Sequence, residues 1–257
     1  MVDASDGTLS ERALAALAVV LAAVAGYVDA LGWDLLSHVF VANMSGNTIA
    51  LGRGVAQRDL GEAAARLWPI VTFGLGVFTS EILYEAARRR GRRSGAGWTL
   101  GLEAGALAFA LALPWPPATS TASVHYYLAT GLLAVAMGLQ NATLIRVGAS
   151  SVYTTHVTGN LTRLAREAAH SLFWLIDRAR GRASGRLSSQ RSSRRVALMA
   201  AMWTAYAFGA ALGFAAVEYW HRQSVAAAIV VLTALVALDA IRPVGGHEDS
   251  GEPSPIF

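Results

Sequence analysis

The chain contains no cysteine and no lysine. The first absence excludes disulfides, thiolate metal sites and thiol nucleophiles. The second makes all 21 basic residues other than histidine arginine. Charge of either sign is scarce, at 15% of residues against 54% hydrophobic, where a soluble domain carries about 25% charged residues. Phosphate-binding glycine loops, zinc-protease helices and G-x-S-x-G elbows are also missing. An ATP-driven pump or a hydrolase therefore lacks its usual parts, and the expectation is a protein that is not an enzyme and carries no cofactor.

What is present is apolar sequence in long runs. A bilayer core of about 30 Å needs roughly 20 helical residues, and six stretches qualify: 13–36, 67–86, 98–115, 125–146, 195–217 and 224–241. The third is short and carries Glu103. The first resembles a cleaved signal peptide, since "AVAGY" (23–27) looks like a small-x-small cleavage site, but Asp3, Asp6 and Glu11 precede it against Arg12 alone, the wrong balance for a signal's basic leader. The partner read most directly from composition is the lipid bilayer, and the pI near 9.8 reflects arginine-rich loops rather than nucleic-acid binding.

Two polar patches interrupt this apolar background, and they are related. "AGYVDA" (25–30) matches "MGLQNA" (137–142) at an offset of 112, and "MSGN" (44–47) matches "VTGN" (157–160) at 113. "GVFTSE" (76–81) can be laid on "GFAAVE" (213–218) at 137. The pattern describes two copies of one unit, residues 13–115 and 125–242, each a long helix, a short polar-tipped segment that is re-entrant or broken, and two more helices. Residues 1–12 form an N-terminal cytoplasmic segment. A tail, 243–257, rich in Pro, Gly, Ser and acids, is expected to be disordered.

Arginine placement orients the copies. With six spans and the N-terminus inside, 17 arginines fall inside and Arg53, Arg58, Arg66 and Arg222 outside; if the polar segments span too, giving eight, the split is 14 to 7. Basic residues collect on the cytoplasmic side, which favours six spans with both termini cytoplasmic. Three spans per copy is an odd number, so the second copy enters upside down, a plan recurrent in secondary transporters with sites near the midplane. The expected fold is thus an all-α polytopic membrane protein of two inverted three-helix repeats.

The polar motifs are the candidate site. Irregular backbone at membrane depth is tolerated only inside protein or beside a wet cavity. Gly46 and Gly159 can permit a positive φ or a close backbone approach, and Ser45 and Thr158 are candidate helix caps. Asn43, Ser45 and Asn47 in one copy, and His156, Thr158 and Asn160 in the other, would surround two half-helix starts whose N–H groups favour an anion or polar solute. The competing reading makes these side chains interhelical packing contacts. Asp29 lies one turn beyond Gly26; a carboxylate near mid-membrane costs at least about 2.5–3.5 kcal/mol and so faces a partner or a wet path. That makes it the candidate for proton or cation coupling, unless the span ends near residue 30 and leaves it among headgroups. Its mate is Asn141, preceded by Gln140, both without charge. Glu81 and Glu218 sit near span ends and Glu103 deeper. His156 stands without a second His or Cys at ligand spacing, so no metal is expected.

The insert 163–195 holds nine arginines, and Leu164, Ala168, Leu172, Leu175 and Ile176 recur near helical spacing. It reads as an amphipathic helix on the anionic inner leaflet or a solvated loop, followed by a Ser/Arg-rich linker. Small residues at Gly131, Ala134 and Gly138 suit helix packing within one chain or between copies of a homo-oligomer.

The blocks "GYVDA…FVANMSGN" and "GLQNA…TTHVTGN" resemble the YoaK-type family of bacterial inner-membrane proteins, named as domain of unknown function 1275. The resemblance covers residues 13–242 and implies a small multi-pass protein of the bacterial cytoplasmic membrane, without implying a reaction. The function expected from the residues is a secondary transporter or facilitator for a small polar or anionic solute, with proton coupling. The alternatives are a passive channel of the same architecture and a non-transporting scaffold or sensor partner acting through the arginine-rich loop.

Overall fold

A computed structural model describes residues 10–91, 95–116, 121–143, 145–147, 150–152, 157–180 and 186–242. The structure is all-helical apart from a hairpin of two three-residue strands, Ile145–Val147 and Ser150–Val152. The helices are α1 (Glu11–Leu35), α2 (Met44–Ala56), α3 (Leu60–Arg89), α4 (Ala96–Ala112), α5 (Val124–Ala142), α6 (Val157–Ala179), α7 (Arg186–Trp220) and α8 (Val225–Ile241). The tail 243–257 lies outside the described residues.

Among the described residues, three helical stretches are long and apolar enough to cross a membrane: Glu11–Leu35, Leu60–Arg89 and Arg194–Ile241, the last running through α7, a 3-10 turn at His221–Ser224 and α8. Ala96–Ala112 is apolar but shorter. The outward face of α3 is a stripe of exposed Leu67, Val71, Leu75, Phe78 and Ile82, spaced by three or four residues and so on one side of the helix. An apolar outside suits lipid rather than water.

Local chemistry explains where these helices begin and what they survive. Ser10 caps α1 through Ala13 N, Asp59 caps α3 through Glu62 N, and Ser123 caps α5 through Tyr126 N, each supplying an acceptor to an otherwise free first-turn donor. Pro69 lies inside α3 and lacks the N–H that would bond the carbonyl of Ala65. The Tyr126 hydroxyl of α5 donates to that carbonyl at 3.3 Å, so the helix continues.

Two crossings bring main chains together. In the first, α1 against α7, a Cβ on Gly26 would overlap the carbonyl oxygen of Tyr206, and one on Gly209 would overlap that of Ala23. In the second, α3 against α5, a Cβ on Gly138 would overlap the carbonyl oxygen of Phe73, and one on Gly76 that of Val135. Small residues permit such approach between membrane helices. Both pairs run parallel: Gly213, one turn beyond Gly209, faces Tyr27 and Ala30, while the Trp68 indole N–H donates to Tyr127 O before Gly76 reaches Val135. By contrast α4 and α8 are antiparallel, with Gly97 beside Asp239 at one end and Arg222 donating to Leu113 O at 3.1 Å near the other. Helix α5 also runs antiparallel to α4, the hydroxyls of Thr99 and Thr143 lying 3.0 Å apart.

The second polar segment differs from the expectation of a short piece. The "VTGN" sequence opens α6, which continues unbroken for 23 residues through Arg163 and Arg166 to Ala179. No glycine or proline interrupts residues 160–180, and α6 packs along α7, with Arg195 paired to Glu167 at 3.6 Å. The Ser/Arg-rich stretch expected as a linker is helical from Arg186, as the start of α7.

Candidate functional site

Between α1 and α2 the chain runs irregularly through residues 36–43 with much of it buried, so its backbone groups need partners. The sequence supplies them from four sides. Leu36 N and His38 N bond back to Gly32 O and Trp33 O. The Arg66 guanidinium, ion-paired to Glu62 at 2.7 Å, donates to His38 O at 3.0 Å. Asn47 accepts from Phe40 N at 3.2 Å and donates to Phe40 O at 2.5 Å, so one amide side chain serves both polar groups of one residue. Ser37 and His38 adopt positive φ, 54° and 57°, which reverses the chain within two residues.

Asp29 completes the set. Its Oδ1 accepts from Val41 N at 2.6 Å and Ala42 N at 2.7 Å, and its Oδ2 accepts a short hydrogen bond from the Tyr206 hydroxyl of α7. The carboxyl is 3% exposed and lies inside α1, which continues to Leu35. The carboxyl is thus enclosed by protein on all sides rather than left at the end of its helix. An ionised carboxylate is an acceptor at every lone pair, and three donors converge on it.

Around the motif, Gly46 is needed for space: a Cβ there would stand 2.5 Å from the Phe40 ring, which closes over the first turn of α2. Ser45 is the second residue of α2 rather than its cap; Asn43 occupies the cap position, without a side-chain bond to the helix, and accepts from the Ser45 hydroxyl at 2.8 Å. The capping role expected for Ser45 therefore fails, since a residue already helical cannot serve as the half-in cap; Thr158 is the second residue of α6. Ser45 is exposed and Asn43 half-buried.

Of the expected site residues, the structure brings Asp29, Asn47 and the 40–42 backbone together. Gln140 is buried and donates from Nε2 to Leu21 O of α1 at 2.8 Å, and Asn141 beside it is also buried. Gly159 is exposed in the first turn of α6. His156, and the side chains of Thr158 and Asn160, lie outside the described residues. Helix α2 packs along α3 and α6 along α7, and α2 with α6 is not among the main packed pairs. Sequence reasoning missed Tyr206, Phe40 and Arg66. The available signal for Tyr206 was an aromatic three residues before a glycine, Tyr206–Gly209, as in Phe73–Gly76.

Asn47 gives a local test. Asn47→Ala leaves the partly buried N–H and C=O of Phe40 without their partner, at up to about 1 kcal/mol for each bond lost. Thermal unfolding in one detergent should show a lowered midpoint, with protease cleavage near residue 40 increased; an unchanged midpoint would mean that water replaces the amide freely.

No solved structure matches the chain. A curated relative, the UPF0700 transmembrane protein YoaK of Bacillus subtilis (strain 168), is 28% identical over 155 residues, covering 60% of this chain and 67% of the relative. A family model described as protein of unknown function (DUF1275) matches residues 17–238. Helices with an apolar outer face, the paired "GYVDA…MSGN" and "GLQNA…VTGN" blocks and this match agree: the chain belongs to the DUF1275 family of transmembrane proteins.

Proposed function

We propose that the protein is a six-span, proton-coupled secondary transporter of a small polar or anionic solute, built from two inverted copies and residing with cytoplasmic termini in the bacterial cytoplasmic membrane. The observation that carries the transport reading is the Asp29 carboxylate holding the irregular 36–43 loop to α1 and α7 through three donors. A proton added to Asp29 removes acceptor capacity from Val41 N, Ala42 N or the Tyr206 hydroxyl. The loop and the start of α2 then loosen together, which is a two-state element a proton can bias.

Helix directions support six spans. If α2 and α6 also crossed, α4 and α8 would point the same way; they are antiparallel, as two inverted three-span copies require. Helix α2, at 13 residues and about 1.5 Å per residue, is short of a bilayer core. The crossings also support the repeat: 112 residues separate Gly26 from Gly138 and Ala23 from Val135, and 133 separate Phe73 from Tyr206 and Gly76 from Gly209. The alignment of the later helices thus takes 133 in place of 137. In this reading Asn43 and Ser45 meet the solute at the start of α2, His156, Thr158, Gly159 and Asn160 do so at the start of α6, and Gln140 and Asn141 line the path from α5. Asn47 and Gly46 hold the shape of the loop.

The test is uptake into proteoliposomes of a panel of small radiolabelled anions and neutral polar solutes, with and without an imposed pH gradient. A solute accelerated by the gradient in the wild type should lose that acceleration in Asp29→Asn. Equal acceleration in the variant would remove Asp29 from coupling. Non-saturating uptake indifferent to the gradient would identify a channel, and no uptake of any solute would count against transport.

A further inference from the structure

A second carboxyl lies in the protein under different conditions. Glu103, in the middle of α4, is 0% exposed, and neither carboxyl oxygen has a hydrogen-bond partner. Leu100, Ala104 and Leu107 share its buried face, so apolar side chains already fill this seam. An unpartnered carboxyl adds no bond there and carries a cost of burial. Such a group lowers its energy by holding either a proton or a cation.

The surroundings decide between them. A hard cation needs several oxygen ligands, and no group of three or more His, Cys, Asp or Glu side chains gathers among the described residues. A proton needs only the carboxyl and a way in. One turn before Glu103, the Thr99 and Thr143 hydroxyls meet at 3.0 Å, and the buried Tyr84 hydroxyl of α3 is near them, without a hydrogen bond of its own. This layer is near the end where α3 finishes in Arg88 and Arg89 and α4 begins. Glu103 lies seven residues past Ala96, about 10 Å along the helix.

The ionisable groups on the packed elements are few. Helix α8 carries Asp239, beside Gly97 at the same end. Helix α5 carries His125, Tyr126 and Tyr127 at its far end, with the uncharged amides Gln140 and Asn141 nearer. Helix α3 carries Glu62 and Arg66, paired to each other at its far end, and Glu81, Tyr84 and Glu85 nearer, the last clasped by Arg88 and Arg89. None of them bonds to the Glu103 carboxyl.

We propose that Glu103 is a proton-binding site, loaded from the arginine-rich end of the protein across the hydroxyl layer of Tyr84, Thr99 and Thr143. Proton binding itself stands independently of the transport reading; its use, as a station for the coupling proton between the arginine-rich end and Asp29, rests on that reading. The carboxylate takes one proton from the aqueous side and returns it, with no other bond made or broken.

The experiment uses the full chain in lipid nanodiscs, with dicyclohexylcarbodiimide, which adds to buried protonated carboxyls, as the probe. Peptide mass mapping should find the adduct on Glu103, decreasing as pH rises and unaffected by sodium. Infrared spectra should contain a carboxylic-acid C=O band that shifts in deuterated buffer and is absent from Glu103→Gln. Thr99→Val should keep the band and slow its deuterium shift severalfold. No adduct on Glu103 in the folded wild type would overturn the proposal, and protection by sodium would replace the proton with a cation. An unchanged shift rate in Thr99→Val would overturn the route. These readouts need no solute, so failure of all uptake would leave them intact.

Discussion

Gly26→Ala is expected to cost on the order of 3 kcal/mol or to prevent folding, because the added methyl group meets main chain rather than a side chain able to turn away. A Cβ on Gly26 overlaps the carbonyl oxygen of Tyr206, with the carbonyl carbon at 2.8 Å and Cα at 3.1 Å. The only relief is separation of α1 from α7, which also draws the Tyr206 hydroxyl from Asp29. Gly138→Ala should behave alike at the α3–α5 crossing, where Gly76 Cα and Val77 N lie at 3.0 Å from the added atom. Gly74 is the control: nothing stands within 4 Å of its Cβ position, and alanine favours a helix over glycine by up to about 1 kcal/mol. Thermal unfolding of the three variants in one detergent should rank Gly74→Ala at or above wild type and the other two far below it. Equal midpoints for all three would refute the close crossings.

Asp29→Ala should have an effect of similar size by another route. It orphans Val41 N, Ala42 N and the Tyr206 hydroxyl together, and each buried donor left unpaired costs about 1–3 kcal/mol. Asp29→Asn keeps one oxygen for the loop amides and should lose much less. Tyr206→Phe removes one donor only, so the double variant Asp29→Ala/Tyr206→Phe should be less destabilised than the two single losses added together. Simple additivity in that cycle would mean the two groups do not interact. Expression, detergent unfolding and protease sensitivity near residue 41 measure all four proteins.

How far the sequence anticipates these features depends on whether the cause is local. Apolar runs of about 20 residues are set by the bilayer, and the helices α1, α3, α4, α5, α7 and α8 lie close to the six expected stretches. Asp29 was readable as a carboxylate in need of a partner, because its cost comes from its own surroundings. Its donors were not readable: Tyr206 is 177 residues away, and two of the three are peptide N–H groups that every residue but proline possesses. Asn47 was read as presented to a solute, whereas its side chain is used on Phe40; the residue type is the same for both tasks. The polar "VTGN" reads as a helix start and α6 does begin there; its unbroken length is not legible because the arginine-rich residues that continue it read as a separate insert. Glu103 stood out in the sequence, but its lack of any partner is a property of the packed bundle.

The glycine crossings have a last consequence, in what they leave unconstrained. Gly26 meets Tyr206 through its carbonyl, and Gly138 meets Phe73 in the same way, so the contact is indifferent to which side chain those partners carry. Phe73 bears no hydroxyl, and α5 offers Asn141 where α1 has Asp29. At Tyr206 the side chain reaches the one carboxylate that holds the loop. Main chain fixes the frame at both crossings and leaves the side chains free, so one crossing carries a hydroxyl bonded to a carboxylate where its counterpart carries the ring of Phe73. Asymmetry of chemistry within a nearly symmetric scaffold costs this molecule a single oxygen atom.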